Sequence, residues 1–77
     1  MMFTYNIAKT ADATAFAKAC ASIEKNLVGI KKETVITDVD GSQIQIYSTK
    51  DGKIKVVNDC EVDAVYADSD VNLANVI

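Results

Sequence analysis

Seventy-seven residues suffice for one domain, read here as a single unit over 1–77. Eight lysines and no arginine stand against eleven acids, a net charge of −3, and there is no histidine. The missing histidine excludes imidazole acid–base catalysis, imidazole metal ligands and Ser-His-Asp triads. The missing arginine removes bidentate reading of phosphate or guanine. With lysines spread along an acidic chain, direct nucleic-acid binding is not expected.

The hydrophobic fraction of 49% is that of a globular chain. No uncharged run approaches the ~20 residues that span a bilayer, so no membrane partner is expected. The N-terminus shows neither the basic nor the apolar region of a signal peptide, and a cytoplasmic location is expected. Cys20 and Cys60 fall in no CxxC or zinc spacing. They are expected to be small hydrophobes, buried or half-buried, in a reducing compartment.

Met2–Ala8 alternates Phe3, Tyr5 and Ile7 with Thr4 and Asn6, the period of a half-buried strand. Thr10 or Asp12 then offers an N-cap. Residues 12–27 are predicted helical: they are alanine-rich, and Phe16, Cys20, Ile23 and Leu27 form one stripe, widened by Ala13 and Ala17. Gly29 is the expected stop.

Glu33–Asn58 reads as two hairpins. Asp40-Gly41 predicts a two-residue type I′ turn that pairs Val39 with Ser42, Thr37 with Ile44 and Val35 with Ile46. Val35, Val39, Ile44 and Ile46 are then expected to face inward. Ile36, Gln43, Gln45 and Tyr47 are expected to face outward. For Asp51-Gly52, a three-residue loop, Lys50-Asp51-Gly52, pairs Ile46 with Val56 and keeps Lys55 out of the core, with a glycine bulge at Gly52. A turn at Asn58–Glu61 leads to a strand over Val62–Ala67; a three-residue turn puts Val62, Ala64 and Tyr66 inward, the preferred reading, and a two-residue turn puts Asp63 and Val65 there. Ser69–Ile77 is expected to be a strand or irregular, because its β-branched residues and asparagines disfavour a helix.

The expected fold is α+β and two-layer: one helix on an antiparallel sheet of four or five strands, in the order β-α-β-β-β with a possible last strand.

Val35-Ile36-Thr37-Asp38-Val39-Asp40-Gly41-Ser42 resembles the first motif of haloacid-dehalogenase-type phosphotransferases, a hydrophobic strand followed by Asp-x-Asp-Gly-Thr/Ser. The resemblance implies Asp38 as nucleophile and Asp40 as acid/base. It covers eight residues, the family needs a longer doubly wound parallel sheet, and hairpin chemistry accounts for Asp40-Gly41. Asp68-x-Asp70-x-Asn72 begins like an EF-hand loop, but Leu73 stands where that loop needs glycine. No enzyme, cofactor or metal is therefore expected.

Charge distribution remains. Residues 1–58 carry eight Lys and six acids, +2, while 59–77 carry five acids and no base, −5. The expectation is a non-catalytic interaction module that binds itself or a protein partner. Its contacts would be an outer sheet face with Ile36, Tyr47 and Val57, and an acidic segment with Asp59, Glu61, Asp63, Asp68 and Asp70. The alternative is a compact acidic inhibitor, of the kind made by phages or mobile elements, that mimics nucleic-acid charge.

Overall fold

A computed structural model describes residues 2–77. The described residues are α+β, with one helix and a six-stranded antiparallel sheet. The elements are β1 (Phe3–Ala8), α1 (Ala13–Asn26), β2 (Lys31–Lys32), β3 (Ile36–Thr37), β4 (Gln43–Thr49), β5 (Gly52–Asp59) and β6 (Ala64–Ser69). The sheet order is β1-β6-β5-β4-β2, with β3 also on β4. The strand count exceeds the expected four or five because the segment before β4 pairs twice, as two-residue strands at the two ends of one edge. No helix is long and apolar enough to cross a membrane among the described residues.

Helix α1 begins where Asp12 accepts from the backbone N–H of Thr14 and Ala15 at 2.8 and 3.2 Å. Its start is tied to the sheet: the Asp12 N–H donates to Asn58 at 3.0 Å, and the Ala11 N–H donates to Asp63 at 2.8 Å. The expected stripe is present. Phe16, Cys20 and Ile23 are buried, and Leu27 is half-buried against the core. Ala15 and Ala19 widen the stripe; Ala13 and Ala17 lie exposed. These side chains meet Tyr47, Ile54, Val56, Val65, Ala67 and Leu73 in a single core.

The first hairpin differs from the two-residue turn expected at Asp40-Gly41. The Asp38 N–H donates to the Ser42 carbonyl at 2.8 Å and the Gly41 N–H to the Asp38 carbonyl at 3.1 Å. Gly41 takes φ +90°. The loop therefore holds three residues, with glycine at its left-handed position. Ile36 pairs with Ile44 and Thr37 with Gln43.

A shift of one residue exchanges the faces. Gln43, Gln45 and Tyr47 turn toward the helix, and Ile44 and Ile46 turn away. Val35 is 43% exposed and Val39 fully so, against the expectation that both are inward.

The second hairpin also differs. Thr49 pairs with Gly52 and Ile46 with Lys55, leaving only Lys50-Asp51 in the loop. Lys55 does not enter the core, because Ile46 itself faces away from it. No glycine bulge forms. Gly52 instead heads β5 at φ +138°, where a Cβ would collide with the Asp70 side chain. That close approach lets Asp70 bond Lys53 twice: carboxylate to N–H at 3.0 Å and N–H to carbonyl at 2.9 Å.

Strand β6 starts at Ala64, later than expected, after a loop in which Asp63 takes φ +56°. Val65, Ala67 and Ser69 are buried, and Ala64 and Tyr66 face away, the reverse of the expected parity. The tail after Ser69 is irregular. Leu73 is its buried anchor, held by the Leu73 N–H donating to the Tyr5 hydroxyl at 2.8 Å.

Candidate functional site

Four pairings run in one line across five strands: Ile36 with Ile44, Ile44 with Val57, Val57 with Tyr66, and Tyr66 with Asn6. Directly opposed residues share a face, so these five form one row on the face turned away from α1. The adjacent row is Ile46, Lys55, Asp68 and Thr4. Ile36 is 54% exposed, Ile44, Ile46 and Tyr66 are half-buried, and Val57 is only 4% exposed between its taller neighbours. The apolar centre is thus four to five side chains wide, with charge on its flanks.

Two of the three residues expected on this face are there, Ile36 and Val57. Tyr47 is not; it is fully buried beneath the helix. Its hydroxyl donates to Glu24 at 2.6 Å, and Lys32 reaches the same carboxylate at 3.3 Å. The Tyr47 hydroxyl bond, with Lys32, holds the Glu24 carboxyl below its usual range. Burial, with Glu24 beside it, raises the Tyr47 hydroxyl, and burial raises the Cys20 thiol. The polar tip of Tyr47 is satisfied, so the ring serves as core. Ile44, Ile46 and Tyr66 are the members of the face that the sequence pattern placed inside.

Most of the acidic segment is engaged in the fold. Asp59 accepts from the N–H groups of Glu61 and Val62 at 2.9 and 3.2 Å, closing its own turn. Asp63 holds Ala11, Asp68 accepts from the Thr4 hydroxyl at 2.9 Å, and Asp70 holds Lys53. Glu61 is exposed. Burial and the neighbouring Asp59 and Asp68 raise the Tyr66 hydroxyl.

The acids of the phosphotransferase-like motif sit in the first hairpin loop. Asp38 accepts from the Val39 N–H at 2.7 Å and Asp40 from the Ser42 N–H at 2.9 Å, which lowers the Asp40 carboxyl. In the EF-hand-like stretch, Asn72 accepts from the Tyr5 hydroxyl at 3.0 Å. Among the described residues, no three His, Cys, Asp or Glu side chains converge as metal ligands would.

Compared with known proteins, the chain matches no family model, no curated protein and no solved structure.

The tertiary structure also sorts charge along the strands. The β3–β4 and β5–β6 loops lie at one end of the sheet, because Gln43 pairs with Asn58. That end gathers Asp38, Asp40, Asp59, Glu61 and Asp63. At the opposite end Lys31 pairs with Ser48 and Ser48 with Lys53, which places both lysines on the same face as Lys55, with Asp68 beside Lys55, Asp70 on the Lys53 backbone and Glu33 on Ser48. No sequence segment shows this arrangement, since each end draws residues from several parts of the chain.

Proposed function

We propose that the chain is a small, non-catalytic protein-interaction module, two-layered, that binds through the sheet face opposite its helix. The observation that carries this reading is the row Ile36, Ile44, Val57 and Tyr66, flanked by Ile46. Aliphatic and aromatic side chains at the centre of a face with charged margins are the composition of a contact surface. The structural work of Asp63, Asp68 and Asp70 favours the sheet face over the acidic segment as the seat of binding. Those carboxylates hold the backbone and a strand edge in place.

The test is a substitution that alters the face and spares the core. Ile44→Lys should leave cooperative melting intact and abolish whatever complex the wild-type chain forms, with a copurified protein or with itself. The reading fails if such a complex survives Ile44→Lys unchanged.

A further inference from the structure

Resting on the reading of the open face as a contact surface, we infer that its occupant is a second copy of this chain, packed face to face with strands antiparallel about a two-fold axis that crosses β5 at Val57. The open face of β5 reads Lys53, Lys55, Val57, Asp59 in order, basic on one side of Val57 and acidic on the other. A two-fold contact is self-complementary: if residue i meets residue j, then j meets i. An axis through Val57 perpendicular to the strands reverses strand direction and lays β5 on β5. Lys55 of each copy then faces Asp59 of the other, and Lys53 approaches the other copy's Glu61 loop. The row Ile36, Ile44, Val57 and Tyr66 meets its own image, apolar on apolar.

The alternative axis, along the strands, lays Lys55 on Lys55 and Asp59 on Asp59. Like charges in direct opposition disfavour it. At the β2–β3 edge the first axis brings Lys31 toward the Asp40 loop and Glu33 toward Asp38, so the choice of axis rests on β5, where Lys55 meets Asp59. Two sheets with strands nearly aligned are also a common way for sheet faces to pack.

Size sets the strength. Five strands about 4.8 Å apart and about seven residues long present a face on the order of 500 Å². Two copies bury about 1,000 Å², the lower bound of a specific interface. The dimer is therefore weak and concentration-dependent, and salt weakens it through the Lys55–Asp59 contacts.

Sedimentation equilibrium over the micromolar to millimolar range tests this. The wild-type chain should pass from monomer to dimer. Lys55→Glu, which brings Glu against Asp59 of the partner copy, should raise the dimer dissociation constant about tenfold or more. Adding Asp59→Asn should recover part of that loss, because the asparagine carbonyl still accepts from Glu61 and Val62 and keeps the turn. Because Lys55 pairs with Asp68 inside the sheet, Lys55→Glu also lowers the melting temperature somewhat; a variant still fully folded at the temperature of the experiment separates dimer loss from unfolding.

A wild-type chain that stays monomeric throughout the range overturns the second copy. So does a dimer indifferent to Lys55→Glu. If a monomeric wild type nonetheless forms a complex with another protein that Ile44→Lys releases, the second copy fails while the module reading stands. A complex or dimer untouched by Ile44→Lys overturns both.

Discussion

On β4, Gln43, Gln45 and Tyr47 face the helix while Ile44 and Ile46 face away; on β5, Ile54 and Val56 face the helix while Lys53, Lys55 and Val57 face away. The two faces thus draw on the same strands and each carries branched aliphatics. The helix face nevertheless buries a glutamine, 3% exposed, and leaves two isoleucines of the same strand half-exposed. Transfer free energy alone would have turned β4 over.

Two contacts compensate for that cost. The Gln45 amide donates to the Glu33 and Ile46 carbonyls, spanning the gap between β2 and β3 where the sheet edge has no strand. A buried polar group that is hydrogen-bonded costs little. Tyr47 fills the space under Cys20 and Ile23 with a ring larger than isoleucine, and Glu24 takes its hydroxyl. A face is therefore chosen by what packs on the other side of it, not by a strand's own alternation.

Substitutions can break that contrast between the faces, beginning with the largest effect. Ile54→Ala, on the helix face, should cost about 3 kcal/mol in urea unfolding, whereas Ile46→Ala, on the open face, should cost about 1 kcal/mol or less. Equal losses, or a larger loss at Ile46, would reverse the face assignment.

Gly52→Ala should cost about 2 kcal/mol, because φ +138° and the Asp70 Cβ leave no room for a methyl group. Thermal melts of the single variant and of Gly52→Ala with Asp70→Gly check the cause. Relief of the contact should restore part of the loss, whereas full retention of the loss would assign it to φ alone.

Tyr47→Phe keeps the ring and removes the bond to Glu24, so about 1 kcal/mol is expected. A loss near that of Ile54→Ala would mean that the hydroxyl, rather than the ring, decides the parity of β4.

The smallest effect is on pH dependence. Glu24 has a folded-state pKa below its ordinary value, so its contribution is present above the unfolded-state value, about 4.3, and fades as pH falls through the lowered one. Glu24 is partly exposed, so the change is modest. Melting temperatures between neutral pH and pH 3 should fall less steeply for Glu24→Gln than for the wild type. Parallel slopes would remove Glu24 from the acid response.

Much of the candidate site is legible in the residues, but not its parity. The pattern puts Ile36 and Val57 on the outer face, and they stand there. It also puts Tyr47 beside them, and Ile44, Ile46 and Tyr66 inside, where none of the four is found. For β4 the mismatch has one source. Asp40-Gly41 is compatible with a two-residue and a three-residue loop, and the two differ by one residue of register. Both faces of β4 offer large side chains, so alternation does not choose between them.

Local chemistry is enough to give an α+β chain, the position of its helix, a cap at Thr10 or Asp12, and antiparallel strands before and after the helix. Alanine-rich helical spacing, capping residues and Asp-Gly turns carry that information within a few residues of each element. Three features emerge only in the folded chain: the register of both hairpins, the face that meets the helix, and the gathering of Asp38, Asp40, Asp59, Glu61 and Asp63 at one end of the sheet. Register depends on the bulk of Tyr47 under the helix and on the approach of Asp70 to Gly52. These are contacts between residues far apart along the chain, which local pattern cannot weigh.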